Sequence, residues 1–138
     1  MIAYDNRTTL ALNCDLLEKI SLYLSDKEVE LILTDDAEIA GINLVERGID
    51  KATDVLSFPL EPLPSFPLGS IMISADRASG VAKELGHSVD DEIALLFTHG
   101  MLHLLGYDHE VDSGEMRQKE QEVMMHFDLP SSLIVRNG

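Results

Sequence analysis

Between Ser88 and His109 the chain carries a helix whose place in any fold is decided by its own composition. Ser88-Val89-Asp90-Asp91 has the form of a helix start, with a hydroxyl that can cap and an acid three residues on. Ile93, Ala94, Leu95, Leu96, Phe97 and Leu104 then leave almost no polar face, and a helix apolar nearly all round belongs inside the protein. Into it are set His99 and His103, four residues apart and therefore on one face. Gly106 is placed to end the helix, since glycine takes the left-handed C′ conformation without a steric penalty. The chain can then turn and bring His109 back over the last turn. Three of the five histidines thus fall in an H-x3-H-x5-H pattern. This is a cup of three imidazoles with one coordination position open, the way catalytic zinc is held. A cation there also meets the negative end of the helix dipole. One Zn2+ per chain on His99, His103 and His109 is the expectation.

The same spacing poses a question about chemistry. H-E-x-x-H-x-x-G-x-x-H is the metzincin protease signature, and this stretch reproduces its histidines and its glycine. Gly100 stands where that signature has glutamate, the general base that takes a proton from zinc-bound water. A glycine cannot do so, and peptide hydrolysis is not expected.

A chain of 138 residues forms one domain, with enough length for a real core. Its 45% apolar content and lack of low-complexity tracts argue against disorder. No apolar run approaches the roughly 18 residues needed to span a bilayer, and Met1 to Arg7 lacks the pattern of a signal peptide. Cys14 is the single cysteine, which excludes a disulfide framework and a thiolate zinc site. A cytoplasmic protein is expected. The formal net charge of −15, from 25 acids and 10 bases, speaks against a broad nucleic-acid surface, because phosphate binding needs clustered Lys and Arg. A small positive site around a divalent ion is still compatible with it.

Along the chain, residues 1–6 suggest a short opening strand. Leu12, Leu16, Leu17, Ile20 and Leu24 recur at helical spacing between about Leu10 and Leu24. Val29, Leu31 and Leu33 alternate as in a strand. Thr34-Asp35-Asp36-Ala37-Glu38 starts a helix that runs through Ile39, Ile42 and Leu44 to Arg47, with Gly48 as its C-cap. Val55-Leu56-Ser57-Phe58 is a strand closed by Pro59, and the segment to Pro67 is too rich in proline to continue it. Ile71-Met72-Ile73 follows Gly69 and pairs with it as a hairpin with a long loop. A weaker helix covers about Ala75 to Leu85. Ser113 to Phe127 is a polar helix with Met116, Val123 and Phe127 inward. Strands and helices mix without strict alternation, so the fold class is α+β: a small mixed sheet packed with helices, the buried central helix carrying two metal ligands.

His99-Gly100-x-x-His103-Leu104-Leu105-Gly106-Tyr107-Asp108-His109 resembles the signature of the YbeY family, bacterial metal-dependent endoribonucleases of ribosomal RNA maturation. A second block, Asn43-x-x-Glu46-Arg47-x-x-Asp50-x-x-Thr53-Asp54-Val55-Leu56-Ser57-Phe58-Pro59, is similar to the family's other motif at matching spacing. The strand entry Gly69-Ser70-Ile71 and the Met116/Glu120 helix match as well. Glu46 stands where the family usually has an aromatic residue and Ser70 where it usually has Asp; the first bears on how the cleft wall packs.

The resemblance implies a zinc-dependent hydrolase of single-stranded RNA, acting in 16S rRNA 3′-end processing and ribosome quality control. Its implied partners are ribosomal RNA, the small ribosomal subunit and its assembly proteins, with no membrane. Arg47 matches the family's functionally important arginine, and its guanidinium fork suits a pair of phosphate oxygens. Asp108 either orients an imidazole or serves the turn, and Asp54 supports a turn or a neighbouring donor. His87 and His126 are structural or exposed. Two rival readings remain: a metal-bearing ribosome-assembly factor without nuclease activity, and a metallohydrolase of another substrate class.

Overall fold

The computed structural model of the chain describes residues 1–108 and 110–129. In chain order the elements are β1 (Ile2–Asn6), α1 (Asp15–Leu24), β2 (Val29–Thr34), α2 (Asp36–Arg47), β3 (Val55–Pro59), β4 (Gly69–Ser74), α3 (Ala75–Leu85), α4 (Val89–Leu104) and α5 (Glu115–His126). The strands form one sheet in the order β1-β2-β4-β3. β1, β2 and β4 run parallel, and β3 is antiparallel to β4, joined to it by the long loop expected from the prolines. The sheet is mixed, as expected, although three of its four strands run the same way through helical crossovers.

Strand alternation assigns the two faces of the sheet. Val29, Leu31 and Leu33 of β2, with Ile71 and Ile73 of β4, point into the larger core with α1, α3, α4 and α5. Ile32, Met72 and Leu56 point the other way, onto Ile39 of α2. α4 lies at the centre, touching α1, α3 and α5 as well as β3 and β4, which is why it is apolar on all sides. From Glu92 to Leu104 every residue is buried except His99 and His103.

Ends and turns follow local chemistry. Asp35, Ser74 and Ser88 cap α2, α3 and α4 by accepting the N–H of Glu38, Arg77 and Asp91. Gly48 ends α2 in the left-handed region, at φ 71°. α1 departs from expectation by starting at Asp15 rather than Leu10. Side chains of Asn6, Thr8 and Asn13 hold residues 6–15 in local turns, through bonds to the N–H of Thr8, Leu10 and Asp15. Such bonds compete with helix formation; Leu10 and Leu12 still pack on the core from this irregular segment. Leu44, through which the apolar spacing of α2 runs, is 46% exposed; Phe127 lies just past the end of α5 and packs on the core beside the buried Met124.

Candidate metal centre

The α4 helix ends in a Schellman motif: Tyr107 N–H donates to Leu102 C=O and Gly106 N–H to His103 C=O, both at 3.0 Å. Gly106, at φ 101°, occupies the position that needs a left-handed backbone. The motif folds the chain back over its own last turn, and this places the Tyr107 carbonyl 3.1 Å from His103 Nδ1. His99 Nδ1 lies 2.5 Å from Glu120 Oε1, brought in by α5. Both contacts are to acceptors, an arrangement that suits a proton on Nδ1 and leaves Nε2 able to give its electron pair to a cation.

Those two Nε2 atoms stand 3.1 Å apart, with the ring planes at 79°. Two imidazoles on one tetrahedral zinc, at the usual bond length, have their nitrogens about 3.3 Å apart. The donor pair therefore fits a zinc-sized cation, and a carboxylate and a backbone carbonyl behind the rings are the supports that histidine ligands ordinarily have. Among the described residues no group of three His, Cys, Asp or Glu side chains converges as a metal site; the third expected ligand, His109, lies outside the described residues.

His99 and His103 open into a cleft of about 760 Å³ that is also lined by Glu46, Arg47, Val55 to Pro59, Tyr107 and Asp108. Arg47 is the last residue of α2, exposed at the cleft. The segment after it is tied down by Asn43, whose buried amide donates to Lys51 C=O at 2.9 Å; this gives the first residue of the second motif a structural role. Asp54 lines the cleft too, and its carbonyl accepts from Ser74 N–H. The Asp108 carboxylate accepts the N–H of Glu110 at 3.0 Å, a turn-forming bond.

Gly100 is explained by packing. A Cβ at this position would come within 2.9 Å of Ile71 Cγ2 and 3.1 Å of its Cδ1. The position faces Ile71 of the sheet, with no room for the glutamate that the protease signature has there.

The remaining histidines are structural or exposed, as expected, and both have partners. His87 is buried against Glu92, with Nε2 and Oε1 2.7 Å apart and side chains 2% and 1% exposed. His126, at the surface, stacks on Tyr23 at 4.2 Å. Glu120, the carboxylate behind His99, was not assigned a role from sequence. Its signal was an acid in register with Met116, Val123 and Met124 on the buried face of α5.

The model of the endoribonuclease YbeY family matches residues 4–128. The chain belongs to the YbeY family. An endoribonuclease YbeY of Nautilia profundicola is 62% identical over 137 residues, covering 99% of each chain. That of Wolinella succinogenes is 60% identical over 136 residues, 99% of this chain and 97% of its own. The solution structure of TM1509 from Thermotoga maritima is 30% identical, covers 93% of this chain and 92% of its own, and superposes with a TM-score of 0.61. The YbeY match spans the cleft, α4 and α5 together, and no described helix is long and apolar enough to cross a membrane.

Proposed function

We propose that the RNA phosphodiester cleavage that goes with membership of the YbeY family is carried out in this cleft, by residues 1–138 acting as one metal-dependent domain. His99, His103 and His109 hold one zinc ion, and Arg47 binds the scissile phosphate. The observation that carries this reading is the pair of Nε2 donors 3.1 Å apart, in a cleft shared with an exposed arginine.

Bound there, zinc supplies Lewis acidity toward a phosphoryl oxygen or toward water. Glu120 keeps the His99 ring turned, and its charge makes Nε2 a better donor. The Tyr107 carbonyl does the same for His103. Arg47 can grip two phosphate oxygens at once and neutralise charge that builds up in the transition state. The biological substrate is single-stranded ribosomal RNA at the 3′ end of 16S rRNA, met in the cytoplasm on the small subunit with its assembly proteins, and the role extends to ribosome quality control.

The test is metal analysis of the purified protein together with incubation on single-stranded and duplex RNA. About one zinc per chain is expected, with cleavage of the single strand. His103→Ala should lose most of the metal and all cleavage. Wild-type metal content in that variant would show that His103 is not a ligand, and zinc without cleavage would favour an assembly factor.

A further inference from the structure

The register of β3 against β4 fixes where its backbone groups point. Ser74 N–H bonds to Asp54 C=O and Leu60 N–H to Leu68 C=O. In an antiparallel ladder the bonded pairs alternate, so the even positions, Leu56 and Phe58, direct their N–H and C=O at β4. Val55, Ser57 and Pro59 direct theirs away from it. Pro59 agrees with this: a proline is accepted in a strand where its missing N–H would have faced outward. β3 is the last strand on this side of the sheet, and all five of its residues line the cleft with His99, His103 and Arg47.

The cleft has an electrostatic problem as an RNA site. Beside the two histidines, Arg47 is the one basic residue among its described lining, against Glu46, Asp54, Asp108 and Glu110. Something uncharged has to share in holding a polyanion. Backbone N–H groups do this in nucleic-acid complexes by donating to phosphate oxygens.

We infer that the outward edge of β3 is a substrate-binding edge, on which the N–H groups of Val55 and Ser57 donate to phosphodiester oxygens of an extended RNA strand as it passes the histidine pair. The assignment rests on the endoribonuclease reading of the cleft. The two N–H groups lie roughly 7 Å apart along a straight strand. A straight row of donors suits a stretched single strand, and so selects unpaired RNA through the backbone without reading sequence.

Proline provides the test, since it removes an N–H, and at outward positions it breaks no ladder bond. Ser57→Pro and Val55→Pro would be compared with the wild type in single-turnover cleavage of a labelled single-stranded RNA oligonucleotide, with zinc content and melting temperature measured on the same samples. Each should keep its metal and raise the half-saturating enzyme concentration about tenfold, the worth of one hydrogen bond to a charged group. The ratio of Ser57→Pro to Ser57→Ala separates the N–H from the hydroxyl. Backbone amide exchange on the wild type is the second measurement, and it does not depend on the variants folding. Added RNA should slow exchange at Val55 and Ser57, while Leu56 and Phe58 are protected with or without it. Folded proline variants that saturate like the wild type, or exchange at Val55 and Ser57 unmoved by RNA, would overturn the inference and leave the endoribonuclease reading intact. Protection by an extended peptide but not by RNA would overturn it in favour of strand addition. A wild type that cleaves no RNA would instead remove the reading on which the inference rests.

Discussion

At the residue scale, the centre depends on what stands behind each imidazole. Glu120→Gln keeps the shape but replaces a charged acceptor with an amide, and zinc affinity should fall by roughly 10- to 100-fold; competition with a chromogenic chelator measures this directly. In the proposed function Arg47 binds substrate and takes no part in holding the metal. Arg47→Ala should keep full zinc and slow single-turnover cleavage by roughly 10²–10³-fold. Arg47→Lys should recover only part, because a point charge does not replace a two-pronged donor. Cleavage at the wild-type rate by Arg47→Ala would remove it from the site. That His99 and His103 stand side by side could be read from sequence, because the i,i+4 relation is local and fixed by helix geometry. Glu120 could not be assigned in the same way. Its partner is 21 residues away in the chain, and sequence shows only an acid inside an apolar stripe, with nothing to say what it faces.

At the element scale, α4 approaches β4 so closely that position 100 has no room for a side chain. Gly100→Ala puts a methyl into the Ile71 side chain. Overpacking of this kind costs about 1–3 kcal/mol, partly offset by alanine's better helix propensity, about 1 kcal/mol. A net loss of about 1 kcal/mol should appear in urea unfolding. Gly100→Glu would bury an acid against the sheet; it should unfold far more readily and show no hydrolysis of casein. A stable Gly100→Glu protein with peptidase activity would mean that the Ile71 side chain gives way and lets the carboxylate reach the cleft. The α4 boundaries and the β3–β4 hairpin were legible because apolar runs and caps are local signals. The start of α1 was not, since the turns made by Asn6, Thr8 and Asn13 outweigh a helical spacing of leucines that the core accepts equally well from irregular chain. The parallel pairing of β1, β2 and β4 was also out of reach, because strand direction is set by which helix crosses over the sheet.

At the scale of the whole molecule, a net charge of −15 and one arginine in the described cleft lining set the ionic character of RNA binding. Each phosphate neutralised by Lys or Arg steepens the fall of log K with log salt by about 0.7 on a single strand. Titration of RNA binding from low to moderate salt should give a slope of magnitude near one, and Arg47→Ala should flatten it. A slope of several units would point to a basic surface outside the cleft.

The outward edge of β3 also bears on how this protein behaves in concentrated solution. A strand edge with unused donors and acceptors is the place where a second molecule can join the sheet and begin a growing assembly. Here the strand is five residues long and ends in a proline, and the acids along the same cleft make two approaching copies repel each other. That repulsion is colloidal protection, and it lasts only while the carboxylates are ionised. As pH falls toward the sequence isoelectric point near 4.4, the charge keeping copies apart vanishes while the edge remains, so light scattering should rise in mild acid and stay low at neutral pH.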